Sequence, residues 1–357
     1  MTGKFIRAVL LLDLLLLASP AIGFGESPER ATLRVGISAA LSGPVAEFGS
    51  AAVHGFIMAS EENPEAFRAL EWIVSDDRYD PKAAVNNFHS FRARGAALVF
   101  TAGVAPSEAV EPLARAFAVP LLMNCQDARV GRENPLAVRV VNVSAQYSLA
   151  MLKHLRQRGY KRFAILAASS TYTDALLDVF SKALEPGETI VTLLRYDTST
   201  TDFRTAVTQL KAESVDALGV YLFPGQFGSF FRKAREQRLH LPVFGSDTFE
   251  SMTEVTTAQG GLSGAVFASN KVDPEFRRRY VARFGTDAQI TTAANSYDVA
   301  QLLARASQAC RSSDGVCILE QLRQTADYTG VTGTLHYRDH PQFGGFLEAE
   351  VVIKTVD

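Results

Sequence analysis

The chain has 357 residues, 47% of them hydrophobic and 21% charged, with a formal net charge of −2. That length exceeds one average domain and fits two lobes of ordinary size around a substantial core. The near-neutral balance, without a basic run or a stacking-aromatic motif, gives no electrostatic reason for a nucleic acid or an anionic membrane as partner.

The N-terminus comes first. Lys4 and Arg7 precede an apolar run from Ala8 to Ala18, broken by Asp13, and small residues follow up to Gly23. A basic end, a short apolar core and small residues at a cut site read as a secretory signal peptide over residues 1–25, cleaved after Gly23 or Gly25. A membrane anchor is the alternative, but the run is shorter than a spanning helix needs. No cysteine follows the cut to carry a lipid, so the expectation is a freely diffusing periplasmic protein.

From Leu33 onward, short apolar runs alternate with amphipathic segments. LRVGI (33–37) reads as a strand that opens into a loop of small residues, with Phe48 as its one large side chain. EWIVS (71–75) is a second strand, and Asp80-Pro81 starts a helix with Ala84, Phe88 and Phe91 on one face. ALVFT (97–101), a helical stripe through Val110, Leu113, Ala114 and Phe117, and VPLLM (119–123) follow. The rhythm restarts with a helix through Leu149, Leu152 and Leu155, then FAILAA (163–168) and a helix through Leu176, Leu177 and Phe180. TIVTLL (189–194), a helix capped by Asp202, ALGVYL (217–222), a helix from about Gly228 to Gln237 and VFG (243–245) complete a second α/β unit. Strands separated by single helices predict open, mostly parallel sheets covered on both faces, with ligands held at the loops after the strands' carboxyl ends.

The cysteines gain meaning from export. Of Cys125, Cys310 and Cys317, the last two close a short loop with turn residues between them. An oxidising compartment favours a disulfide there and leaves Cys125 over. Without a CxxC pair, and with scattered histidines, a zinc centre is not expected. Asp76, Asp77 and Asp80 look like a metal cluster on paper but read better as turn and cap chemistry. His336 and His340 sit in a segment that reads as strand, so their spacing is not that of a helical metal pair.

Several segments together resemble the periplasmic leucine/isoleucine/valine-binding proteins, in order along nearly the whole mature chain. They are LSGPVAEFG (41–49), SDDRYDPKAA (75–84), STYTD (170–174), TDF (201–203), FGSD (244–247) and GVTGTL (330–335). The resemblance implies a type I periplasmic binding protein: two α/β lobes, each an open mostly parallel sheet flanked by helices, joined by three hinge crossovers. Mapped here, lobe one spans 31–143 with 272–338, and lobe two spans 144–271 with 339–357. The implied role is the substrate-binding part of an ABC importer, a monomer that closes on a branched-chain amino acid or related small amphipathic ligand and docks on the importer's membrane subunits.

The resemblance also nominates residues. A ligand carboxylate would meet backbone amides at two first-lobe loops, near Ala105 and Ser107 and near Gln126 and Ala128. Ala105 and Ala128 stand where relatives carry hydroxyls, each worth about 0.5–1.5 kcal/mol net. Ser107 also has the place of an ordinary helix cap, and Asp127 would repel a carboxylate if it pointed inward. In the second lobe, Tyr172 keeps its position and Asp247 stands where an acid would meet an ammonium. Phe48 and Phe223 replace frequent tyrosines, with Phe227 and Tyr297 as flanking rings, which makes the pocket more apolar. The glycine-bearing loop 223–228 lacks the Lys-Ser/Thr ending of a phosphate loop and reads as cleft wall.

No catalytic residue, metal or cofactor is nominated: GxSxG, HExxH and a strand-borne GxGxxG are all missing from the sequence. Periplasmic sensing is the rival role, differing from transport only in the docking partner.

Overall fold

A computed structural model of the chain describes residues 32–310 and 313–357; the expected signal segment lies outside them. The chain begins with β1 (Leu33–Ala39), α1 (Ala46–Glu62), α2 (Pro64–Phe67), β2 (Leu70–Asp76), α3 (Pro81–Ala93), β3 (Leu98–Ala102), α4 (Val104–Ala116), β4 (Leu121–Asn124) and β5 (Ala137–Arg139). It continues with α5 (Ser144–Gln157), β6 (Arg162–Ala168), α6 (Thr171–Lys182), β7 (Thr189–Tyr196), α7 (Arg204–Ala212), β8 (Ala217–Tyr221) and α8 (Phe227–Glu236). Then come β9 (Val243–Gly245), a 3-10 turn (Asp247–Glu250), α9 (Met252–Thr257) and β10 (Val266–Asn270). The last stretch is α10 (Pro274–Phe284), α11 (Ile290–Cys310), α12 (Gly315–Arg323), β11 (Tyr328–Gly330), β12 (Gly333–His340), β13 (Gly344–Glu348) and β14 (Val351–Thr355).

The strands form two sheets, one in the order β11-β12-β13-β5-β4-β3-β1-β2 and a smaller one in the order β14-β10-β9-β8-β6-β7. Their centres are parallel, and every residue of β3 and β8 is buried, as strands covered by helices on both faces require. The fold is thus the two-lobed α/β architecture anticipated from the sequence. In α3 the Asp80 carboxylate accepts the Lys82 amide at 2.9 Å, and Ala84, Phe88 and Phe91 are buried.

Some details depart from the sequence reading. Leu149 is exposed, because α5 buries Tyr147, Ser148, Met151, Leu152 and Leu155 instead. Phe117 lies just past α4 and is covered by the Arg92 guanidinium, 3.7 Å from its ring centre, rather than by the core. Asp202 sits one residue ahead of the helix's capping position and is held in place by the Arg204 amide and guanidinium.

The chain passes between sheets after β5, after β10 and after β13. The last passage lies between Glu348 and Val351, not near 338, because β13 pairs with β12 as an antiparallel hairpin inside the larger sheet. The three passages are tied together by buried amides. Asn142 Nδ2 donates to Asn270 Oδ1 and to the Ala349 carbonyl, both at 2.9 Å, while the Ala349 amide donates to Asn142 Oδ1. The Tyr147 hydroxyl and Asn295 complete the knot around Asn270.

Cys310 and Cys317 form a disulfide that joins the end of α11 to α12, and Cys125 is free and buried. Closing so short a loop removes about 2 kcal/mol of denatured-state entropy. Replacing both cysteines by serine is expected to lower the melting temperature by a few degrees, read by calorimetry, without altering the sheets.

Candidate functional site: the cleft between the sheets

The loops at the carboxyl ends of β1, β3, β4, β6, β8 and β9 face one another across the gap between the sheets. Each is fixed by its own local chemistry. Asp76, at the end of β2, accepts the Leu41 amide at 2.8 Å and the Ser42 hydroxyl at 2.6 Å, which pins the opening loop. Gly49 lets α1 begin against β1: a Cβ there would fall 1.9 Å from the Ala40 carbonyl oxygen. Glu254 accepts the Gly225 and Gly228 amides, both at 2.7 Å, so loop 223–228 spends its free amides on the protein's own carboxylate.

Between these loops lies a cavity lined by Val45, Phe48, Tyr79, Gly103, Val104 and Asn124 from one lobe, by Tyr172, Phe223, Pro224, Asp247 and Thr248 from the other, and by Gln126 and Gln289. The centres of water-sized spheres can occupy about 60 Å3 of it. That is a few times the requirement of one water (about 10–15 Å3), which is room for a small solute.

Asp247 is its polar focus. Its Oδ1 accepts the Tyr172 hydroxyl at 2.5 Å and its Oδ2 accepts Gln126 Nε2 at 2.8 Å, a bond that crosses the cleft. Burial pushes its carboxyl up to about 6, the nearby Glu250 charge adds to this, and the Tyr172 and Gln126 bonds hold it down in part. Among the described residues, none lining the cavity is a lysine, arginine or histidine. The apolar walls are Phe48, Val45 and the Phe223 ring, which meets Tyr172 and Tyr79 edge-on at centroid distances of 5.9 and 6.0 Å.

Of the residues nominated from sequence, Phe48, Gln126, Tyr172, Phe223 and Asp247 therefore meet in one place. Five do not line it. Ser107 is fully buried and spends its hydroxyl on the Gly103 carbonyl (2.6 Å) and on Thr101 (2.8 Å) inside the first turn of α4. Ala105 offers its backbone amide, but that amide faces the Tyr79 hydroxyl. Ala128 lies beyond the lining part of its loop. Tyr297 sits on the face of α11 that packs against α1, donating to Glu62 Oε2 at 2.7 Å with its ring on Phe276. Phe227 is likewise a fully buried core ring against Phe249. Asp127 turns away, gripped by the Arg129 guanidinium.

Tyr79, Gly103, Val104, Asn124, Thr248 and Gln289 were not anticipated. Tyr79 stands in the 75–84 motif, whose aspartates account for the turn; its backbone is left-handed, φ 59°, and its ring lines the cleft against Phe223 and Gly103. Gln289 precedes α11, far along the chain, and carries no local signal.

A latch bridges the cleft mouth. The Glu47 carboxylate, in the first turn of α1, accepts the Ser251 hydroxyl, the Thr253 amide (3.1 Å) and the Thr253 hydroxyl (2.8 Å) at the start of α9. Glu47→Ala is expected to shift the protein toward an open form, with a larger radius of gyration in solution scattering. The lost bonds are worth roughly 1–2 kcal/mol, so solute binding should weaken about tenfold.

The model of the periplasmic binding protein family matches residues 32–346. No curated protein matches the sequence. Solved structures that superpose well include a leucine-binding protein from Thermotoga maritima, with 19% identity and TM-score 0.79, covering 91% of this chain and 95% of that one. A branched-chain amino acid transporter substrate-binding protein from Streptococcus pneumoniae, in complex with isoleucine, has 20% identity and TM-score 0.81, covering 91% and 96%. A solute-binding protein of an ABC transporter from R. palustris, in complex with benzoate, has 16% identity and TM-score 0.80, covering 92% and 94%. With the family model matching most of both sheets and every residue that lines the cleft, this chain belongs to the periplasmic binding protein family.

Proposed function

We propose that this protein is the periplasmic solute-binding component of an ABC importer, capturing a small amphipathic solute in the cleft and releasing it unaltered to the membrane subunits. The observation that carries this reading is Asp247. It is a carboxylate lowered into an apolar cavity, bonded by Tyr172 from its own lobe and by Gln126 from the other, with no cation opposite among the described residues. Such a group costs free energy when nothing is bound, and a cationic or hydrogen-bond-donating solute relieves that cost. Phe48 and Phe223 would cover the solute's apolar body, and Glu47 would latch the lobes once they close.

A branched-chain amino acid belongs to this amphipathic class and would bring its ammonium to Asp247. Its carboxylate, however, would meet no positively charged side chain among the lining residues. The test is native mass spectrometry of the protein purified from its own periplasm. The expected result is a co-purifying small molecule that bears an amine or amide and that solution scattering shows to compact the protein. A solute recovered chemically altered after incubation would instead indicate an enzyme.

A further inference from the structure

We propose that Tyr79 sets which solutes the cleft accepts. Its side chain occupies the amide-bearing end of α4, and the cleft therefore takes amines or amides that carry no carboxylate. This rests on the cleft being a solute site.

Three observations converge. First, α4 starts without a side-chain cap: its capping residue is Gly103, and the Val104 and Ala105 amides that follow face the Tyr79 hydroxyl. A helix start with free amides is where an anion would settle, and here the uncharged Tyr79 ring already lies over it. Second, the ring is fixed rather than loosely inserted. Arg78 and Tyr79 both have left-handed backbones, with φ of 53° and 59°. The Tyr79 amide donates to Asp77 Oδ1 at 2.9 Å, and Asp77 is itself buried and takes the Ser38 hydroxyl at 2.7 Å. At the other end the ring lies on Gly103 so closely that a Cβ there would be 2.3 Å from Tyr79 Cε2.

Third, the charges facing the cavity have one sign. Asp247 lines it, Glu250 stands behind Asp247, and no lysine, arginine or histidine is among the described lining residues. Burial, Cys125 and Asp247 all oppose ionisation of Tyr79, so its oxygen remains a neutral hydrogen-bonding group. A carboxylate entering the cleft would find the start of α4 covered by the Tyr79 ring and a like charge across the cavity. An amine or a primary amide would find Asp247 as acceptor and the Asn124, Thr248 and Gln289 side chains as uncharged neighbours.

The experiment compares L-leucine with L-leucinamide and isoamylamine, which share one branched amine skeleton and carry a carboxylate, a primary amide and a hydrogen at the same carbon, by calorimetric titration at pH 7.5. The wild-type protein is expected to bind leucinamide or isoamylamine at least tenfold more tightly than leucine. In Tyr79→Gly, which suits the left-handed backbone and uncovers the α4 amides, that gap is expected to shrink at least tenfold. Tyr79→Ser replaces it if the glycine variant does not melt cooperatively. Tyr79→Phe keeps the ring on Gly103 and is expected to keep the wild-type preference.

Leucine bound by the wild type as tightly as its carboxylate-free partners overturns the proposal and leaves the cleft a binding site. A gap unchanged in a cooperatively melting Tyr79→Gly, or lost equally in Tyr79→Phe, overturns the role of the ring. Failure of all three probes with every protein overturns the reading of the cleft itself.

Discussion

Asp247→Asn is expected to weaken binding of isoamylamine by on the order of 100-fold while making the unliganded protein more stable at pH 7. The two effects have one origin. In the empty cleft the carboxylate is taken out of water with two hydrogen bonds and no counter-charge among the described lining residues. An amine supplies that counter-charge through a charge-assisted hydrogen bond in a site of low dielectric, worth roughly 3 kcal/mol. The amide side chain keeps the shape and can still accept the Tyr172 hydroxyl, and Gln126 meets it by turning its own amide over. What disappears is the buried charge. A rise in melting temperature together with a fall in affinity, measured on the same preparation, is the expected signature; unchanged affinity would remove Asp247 from the site.

The pH dependence follows from the same group. The folded carboxyl is raised from its ordinary value of 3.8 to about 6. Between those values the folded protein holds a proton that the unfolded chain has released. Stability of the unliganded protein is therefore fully present below the lower value and falls as pH rises toward 6, by on the order of 2–3 kcal/mol. Asp298, buried on α11 and also raised to about 6 while it accepts Thr332, contributes a second drop in the same window. Asp247→Asn should remove only part of the slope. Amine binding runs the other way, strengthening about tenfold from pH 5 to pH 7 as Asp247 becomes ionised. The groups that face Asp247 are Tyr172, Tyr147, Glu250 and Tyr79, and the phenols among them are pushed upward, out of this window.

Much of this architecture was legible in the residues because burial on both faces of a parallel strand leaves a continuous apolar signature. LVFTA and ALGVY are such strands. Proline after aspartate marked α3 for the same reason of local chemistry. The cleft was legible where the resemblance supplied positions at or just after the strands' carboxyl ends: Phe48, Gln126, Tyr172, Phe223 and Asp247. It was illegible where tertiary geometry decides direction. Ser107 and Ala105 were placed by their position at a helix start, but the direction of an amide says nothing about what already occupies it, and Tyr79 occupies it from another loop. Tyr297 failed for a simpler reason, since one face of α11 looks toward α1 and periodicity alone did not choose the face. The final sheet passage was misplaced because a hairpin adds a strand without any change in composition.

Asn142→Ala is expected to cost on the order of 3–4 kcal/mol and lower the melting temperature by about 5–10 °C. Asn142 is fully buried where all three passages between the sheets converge. Its side chain serves both the amide and the carbonyl of Ala349, so truncation strands two buried backbone groups at once. An unmade buried bond costs more than a made one contributes, roughly 1–3 kcal/mol per group. Asn270 suffers less, because its Oδ1 still accepts the Tyr147 hydroxyl and its Nδ2 still donates to Asn295. The double variant Asn142→Ala/Asn270→Ala should therefore be less destabilised than the sum of the single variants, the mark of one shared network. Asn142→Leu separates bonding from packing: it fills the space yet leaves Ala349 unpaired, and is expected to be nearly as unstable as the alanine variant. A leucine variant as stable as wild type, by calorimetry, would show that the junction is held by volume and not by these bonds. The scattering curve of a folded Asn142 variant then carries the functional consequence. With the junction's bonds removed, the lobes should sample wider angles before any solute binds, and the radius of gyration should rise even where Glu47 still latches the mouth.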